Sequence, residues 1–296
     1  MHLPPSQTAA SLLQSLNSLT SHRFSSNCAS LDSLLTPTTQ LAQSDEPGLP
    51  RGAVLELIGP PGIGKSRIAM AFALAECFRL EGGEVLVIDA EGSLNPSLLH
   101  ETATAYAVHN GYESHSLKKV LESLLYRRID SAWLLVAFFN TLESWLDDHT
   151  EVNLIVIDSL TSHLRPTLDS QTRRLMTDLI RSTLTTICAS RRVSFIITTK
   201  MSIKLFGLDN RPSSWSRDAE AMMVPAIRSN EWLPSQERLG EGVWKVLLYF
   251  DQQGERLARL LESPVETQAT DVGFIMDAFG PYDHQVPMEM ETQPTG

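Results

Sequence analysis

The sequence predicts an α/β fold, a mostly parallel sheet flanked by helices with an antiparallel C-terminal edge, on three observations. Apolar runs, the mark of strands covered on both faces, occur at Ala53-Val54-Leu55-Glu56-Leu57-Ile58, broken only by Glu56, and without a break at Val85-Leu86-Val87-Ile88 and Leu154-Ile155-Val156-Ile157. Helical periodicity fills 66–79, 95–109, 134–145 and 172–189 between and beyond them. Strand character then returns at 193–198, 243–250, 256–261 and 272–276, and Asp251-Gln252-Gln253-Gly254 reads as the turn of a hairpin joining two of these.

The first strand runs into Gly59-Pro60-Pro61-Gly62-Ile63-Gly64-Lys65-Ser66, with Arg67 opening the helix that follows. This is a P-loop in its required setting between strand and helix. The glycines let backbone N–H groups turn inward around a polyphosphate, Lys65 reaches the outer phosphates, and the Ser66 hydroxyl ligates Mg²⁺. The positive end of the helix completes the anion site. The run at 154–157 ends in Asp158-Ser159. That puts a carboxylate at the carboxyl edge of a central strand, where it can hold Mg²⁺ through water. An acid ending an apolar strand is common in α/β proteins, so Asp158 gains meaning only beside the P-loop. The run at 85–88 ends in Asp89-Ala90-Glu91-Gly92. From spacing alone Glu91 fits equally a solvated turn and a base for the water that attacks a γ-phosphate.

These segments, in this order, resemble the RecA-type recombinase core, with its Walker A loop, its strand ending in Asp-x-Glu and its Walker B strand ending in Asp-Ser. The likeness continues in Leu49-Pro50-Arg51-Gly52, Ala29-Ser30-Leu31-Asp32-Ser33-Leu34-Leu35, Thr198-Thr199-Lys200-Met201, Met223-Val224-Pro225-Ala226 and Trp232. Tyr126-Arg127-Arg128, Leu164-Arg165-Pro166 and Val272-Gly273-Phe274 are similar to segments of the C paralogue of the eukaryotic strand-exchange recombinase (Rad fifty-one, C type). The resemblance runs from about Ser26 to Tyr282. It implies a RecA-type P-loop NTPase core using ATP and Mg²⁺, with Glu91 and Lys65 catalytic, Ser66 and Asp158 on the metal, and a DNA-dependent ATPase acting as a mediator in homologous recombination and double-strand break repair. It also implies a nuclear location and a hetero-oligomer with other recombinase-family subunits. A nucleotide-dependent assembly subunit with negligible hydrolysis, and a hexameric helicase motor, are the competing readings.

The chain departs from the pattern in three places. Only about 45 residues precede the core, fewer than the small helical domain usual in such paralogues. Lys200 stands where the family has a glutamine that senses the γ-phosphate, and an ammonium cannot accept a hydrogen bond from water. Arg228-Ser229-Asn230-Glu231 ahead of Trp232 lengthens the exit from the second DNA-facing loop.

With 296 residues, 42% of them apolar, the chain can bury one large core. The expected organisation is a flexible arm at 1–25, a core at 26–282 and a disordered tail at 283–296. Cys28, Cys77 and Cys188 lack metal-ligand spacing and read as core thiols of a reducing compartment. The longest apolar run, 132–139, is far too short for a membrane span, which predicts a soluble protein. A net charge of −11 argues against general adhesion to nucleic acid, but residues 161–230 hold eleven bases and five acids. Within that span Arg173, Arg174 and Arg181 fall on a predicted helix, where a solvated face is as good a reading as a DNA contact. Lys200, Lys204, Arg211 and Arg217 sit in a stretch rich in Ser, Gly, Asn and Pro that is expected to be mobile. They are the candidates for single-stranded DNA and recombination intermediates, with Phe206 and Trp215 available to stack on bases or to anchor the loop.

Overall fold

The computed structural model describes residues 22–37, 46–79, 83–164, 169–206, 220–234, 242–267 and 271–283, with backbone alone at 114–116, 203–206 and 220–222. Its centre is a ten-stranded sheet. Strands β3 (Val54–Gly59), β4 (Glu84–Asp89), β5 (Leu124–Arg128), β6 (Val152–Asp158), β7 (Ser194–Phe206) and β9 (Val243–Phe250) run parallel where they pair. Strands β10 (Arg256–Glu262), β11 (Val272–Asp277) and β12 (Gly280–Tyr282) continue from β9 in antiparallel fashion. The order is β12-β11-β10-β9-β3-β7-β6-β4-β5, and β8 (Glu220–Pro225) pairs with the far end of β7. A two-stranded sheet of β1 (Arg23–Phe24) and β2 (Leu49–Pro50) lies apart from it.

The apolar runs become buried strands because helices cover both faces. On one side α1 (Ala29–Leu34), α2 (Lys65–Phe78), α3 (Pro96–His109) and α4 (Ser114–Ser123) enclose a core with Phe24, Leu55, Phe72 and Trp244; on the other, α5 (Ala132–Asp148), α6 (Ser170–Arg191) and α7 (Ser229–Trp232) enclose Phe138, Ile155, Phe195 and Trp232. Local chemistry starts the helices. Asn95, Ser131 and Asp169 accept from the backbone N–H of Leu98, Leu134 and Thr172, and Pro96 takes the first position of α3. Asp251 accepts from the N–H of Gln253 and Glu255 and Gly254 has φ 86°, which closes the hairpin between β9 and β10 over the expected turn, with Glu255 as a fifth connecting residue.

Four expectations change. Arg23 and Phe24, assigned to a flexible arm, form β1; Phe24 is buried, and an Arg23 Nη1 donates to the carbonyl of Gly48 at 2.8 Å. Asp283, assigned to the tail, accepts from the N–H of Ala29 and Ser30 at 2.8 Å and caps α1. Residues 1–21 and 284–296 lie outside the described residues. The stretch expected to be mobile from Lys200 onward instead carries β7 on to Phe206, paired with Glu220–Pro225. Its period-two pattern, Met201, Ile203 and Leu205 against Ser202 and Lys204, is the strand signal that the later polar residues obscured. Finally β1, β2, β5, β8 and β12 and the helices α1, α4 and α7 were not foreseen; all but α4 are short or sit at a sheet edge.

The three cysteines are buried and free. Burial pushes the Cys28 and Cys77 thiols up to about 12, and that of Cys188 further, so all three are protonated at neutral pH. No helix among the described residues is long and apolar enough to cross a membrane.

Candidate active site

Register brings the site together. Gly59 at the end of β3 lies beside Lys200 of β7, and Asp89 at the end of β4 lies beside Asp158 of β6. The ends of β3, β4 and β6 and the middle of β7 therefore meet at one edge, where ligands bind in open α/β sheets.

The P-loop spans β3 and α2. Gly64 caps α2 with φ 113°, and a side chain there would meet the Met276 Cε at 2.5 Å. At Gly59 a side chain would approach the Leu248 carbonyl oxygen to 2.7 Å, whereas at Gly62 it would meet nothing within 4 Å. The loop is thus packed tightly on β9 and β11 and open on its outer side. Arg67 Nη1 donates to the Asp277 carbonyl at 2.7 Å and Arg256 Nε to the Ile63 carbonyl at 3.2 Å, which ties the loop to the antiparallel edge. A cleft of about 550 Å³ runs between them, lined by Lys65, Ser66, Arg67, Arg256 and Met276. The Lys65 ammonium donates to the carbonyls of Gly59 and Pro60 at 2.8 and 2.9 Å. Burial lowers its pKa; Asp158 and Glu91 oppose that, and Lys200 adds to it.

Asp158 is 2% exposed. It accepts from the hydroxyl of Thr198 and, at 3.0 Å, from that of Ser93. Burial pushes its carboxyl above the usual carboxylate range, against the hydroxyls of Thr198 and Ser66, while Glu91 raises it further. A cation at this edge would draw it back to the ionised form.

Glu91 stands on a turn built by Asp89. One Asp89 carboxylate oxygen accepts from the N–H groups of Glu91, Gly92 and Ser93 at 3.1, 2.6 and 3.3 Å, and the other accepts from Tyr126 Oη at 3.1 Å. Arg128 Nη1 donates to the Asp89 carbonyl at 2.8 Å. The Glu91 carboxylate accepts from the Ser159 hydroxyl on Oε1, and the Lys200 ammonium lies 3.0 Å from Oε2. Asp89, Ser93, Tyr126, Arg128, Ser159 and Thr198 all shape this edge, and none was given a role from sequence, although all but Ser93 fall in motifs named there. Only Asp89 carried a readable signal, an Asp three residues before a Gly, the pattern of a turn closed by a side chain. Asp89→Ala removes the acceptor of three N–H groups at a fully buried position. The expected cost is about 1–3 kcal/mol or more of unfolding free energy, read by denaturant titration.

The residues fit a magnesium nucleotide. The loop is open outward at Gly62, a lysine stands at its end, and Ser66 and Asp158 offer the hard oxygen donors Mg²⁺ takes. Among the described residues no cluster of three or more His, Cys, Asp or Glu could hold a metal.

The DNA candidates divide. Lys200 has its ammonium on Glu91, at the phosphate edge. Lys204 lies on β7 opposite Met222, and Arg211, Arg217 and Trp215 lie outside the described residues. Phe206 is the last residue of β7, opposite Glu220. On α6, Arg181 donates to the carbonyls of Asn230 and Glu231 and so braces α7, while Arg173 and Arg174 line a groove of about 280 Å³ beside it.

Comparison with known proteins agrees with this geometry. The protein family described as an AAA domain matches residues 20–202. "DNA repair protein RAD51 homolog 3" of Cricetulus griseus is 26% identical over 263 residues, covering 82% of this chain and 64% of that protein. The protein of the same name from Dictyostelium discoideum is 24% identical over a 297-residue alignment, 88% of this chain and 69% of that one. "DNA repair protein RAD51 homolog 2" of Arabidopsis thaliana is 28% identical over 169 residues, 54% and 42%. The chain thus spans about two thirds of the length of the first two. With its P-loop, its Asp-Ser strand end and its mostly parallel sheet, the chain belongs to the AAA domain family and is a RAD51 paralogue, nearer to the C type.

Proposed function

We propose that the chain is an ATP-binding, DNA-dependent ATPase of the recombinase group that acts as a mediator in homologous recombination and double-strand break repair. One observation carries this reading. Register and turn chemistry set Lys65, Ser66, Asp158 and Glu91 around one edge of the sheet, and β7, which lies against the P-loop strand, runs on into the β7–β8 arm. The relatives' names, which describe DNA repair proteins, support the biological setting. The proposal includes a nuclear location, where chromosomal DNA is repaired, and partners of the same family.

In this proposal the loop amides and Lys65 bind and orient the phosphates, and Ser66 and Asp158 hold Mg²⁺. Bound there, the ion neutralises charge on the phosphates. Glu91 holds the attacking water and takes its proton, with Asp89, Tyr126 and Arg128 fixing the turn it stands on. Lys204, Arg211 and Arg217 form the DNA contact. Replacing those three by Ala should weaken single-stranded DNA binding across sequences and flatten its salt dependence by about 0.7 in log–log slope per lost phosphate contact, with ATP binding retained. Unchanged DNA affinity and slope, measured by fluorescence anisotropy at several salt concentrations, would move the DNA contact elsewhere.

A second reading, an assembly subunit that binds ATP and turns it over negligibly, is favoured by the Lys200–Glu91 pair. Turnover of the purified chain and of its complex, with and without single-stranded DNA, separates the two.

A further inference from the structure

We infer that Lys200 is a positioning residue that restrains Glu91, so that this site holds ATP and hydrolyses it slowly until the pair is broken. The inference rests on the ATP site proposed above and specifies its regulation.

Three observations carry it. The Lys200 ammonium lies 3.0 Å from one Glu91 oxygen while Ser159 donates to the other, so both oxygens of the candidate base already hold strong donors. A carboxylate engaged at both oxygens is a weaker acceptor for the proton of an attacking water and is less free to turn toward it. The pairing is also built into the backbone. Lys200 N–H donates to Thr161 Oγ1 at 3.0 Å, its carbonyl accepts from Ala226 N–H at 2.8 Å, and its register partner is Gly59, the first residue of the P-loop. The side chain therefore starts from a fixed point between the phosphate loop and Glu91. Finally, the turn bearing Glu91 is held from beneath by Asp89 and Arg128, so the carboxylate cannot leave the lysine by a shift of its own backbone without breaking those bonds.

A bound nucleotide would offer Lys200 a second acceptor, its outer phosphates, since Lys200 is the register partner of Gly59 in the P-loop. The two roles differ in what their loss does. A lysine serving the phosphates supports ATP binding, and removing it raises KM. A lysine restraining Glu91 acts on the chemical step, and removing it raises kcat.

The test uses the full chain without DNA. ATP affinity of the parent with Mg²⁺ is measured first by calorimetry. Lys200→Gln is expected to keep that affinity within about twofold and to raise kcat by about tenfold or more, corresponding to restored use of one general base. Lys200→Arg keeps a cation opposite Glu91 and is expected to gain less than Lys200→Gln. Glu91→Gln added to Lys200→Gln should abolish the gain. A further readout needs no nucleotide: if the pair exists in solution, the shifts in unfolding midpoint caused by Lys200→Gln and Glu91→Gln fail to add in the double variant. An unchanged or lower kcat in Lys200→Gln, a gain shared in full by Lys200→Arg, or additive midpoint shifts would each overturn the inference and leave the ATP site standing. Absence of ATP binding in the parent would instead remove the ATP reading, and the inference with it.

Discussion

Glu91→Gln is expected to leave ATP affinity unchanged and to lower turnover by about a hundredfold or more, the ordinary contribution of a positioned base. The amide keeps the shape of the side chain and can still accept from Ser159, so the turn built on Asp89 survives. What it loses is proton affinity. It also loses the charge that faces Lys200 at 3.0 Å. For that reason the change is best read in a Lys200→Gln background as well as in the parent, where a slow basal rate would compress the difference. Equal turnover with and without the Glu91→Gln change in both backgrounds would return Glu91 to a solvated turn residue.

The second large effect is expected at Lys65. Lys65→Ala should weaken ATP binding by about 1.5–3 kcal/mol, the loss of hydrogen bonds from a charged donor. The fold should tolerate the change. Among the described residues Lys65 donates to carbonyls of its own loop, Gly59 and Pro60, so its loss cuts no hydrogen bond between distant parts of the fold. Its ammonium is partly desolvated and leans on Asp158 and Glu91, so its removal also leaves two acids less well balanced at the same edge. Calorimetry with Mg²⁺ and ATP reads the affinity, and thermal unfolding without ATP checks the fold. Equal affinity in the variant and the parent would dismiss the P-loop assignment.

The legibility of these residues follows from the range over which their signals act. The P-loop could be read from sequence because its chemistry is consecutive: one short segment supplies the turn, the lysine and the hydroxyl, and its strand and helix flank it directly. Asp158 was legible for a related reason, since four consecutive apolar residues read as a covered strand and the acid that ends them falls at the sheet edge. The helices at 66–79, 95–109 and 172–189 were legible within about two residues, because side-chain periodicity and local caps are set by neighbours in the chain. Strand β5 was not. It is an edge strand of five residues ending in two exposed arginines, and only pairing with β4 makes it a strand.

Composition misled along 200–206, where a polar stretch farther on suggested mobility although the residues themselves alternate like a strand. Lys200 shows the limit most clearly. Its departure from the family's glutamine was visible in the sequence, but its meaning depends on a partner 109 positions away in the chain. The sequence by itself determined the class of fold, the phosphate loop and the acid that faces it, because each is written in one short segment. Only the tertiary structure decided that Asp89 shapes the turn under Glu91 and that Lys200 closes on it. Both depend on parallel register between strands far apart in the chain, where a shift of one residue would turn each side chain to the opposite face of the sheet.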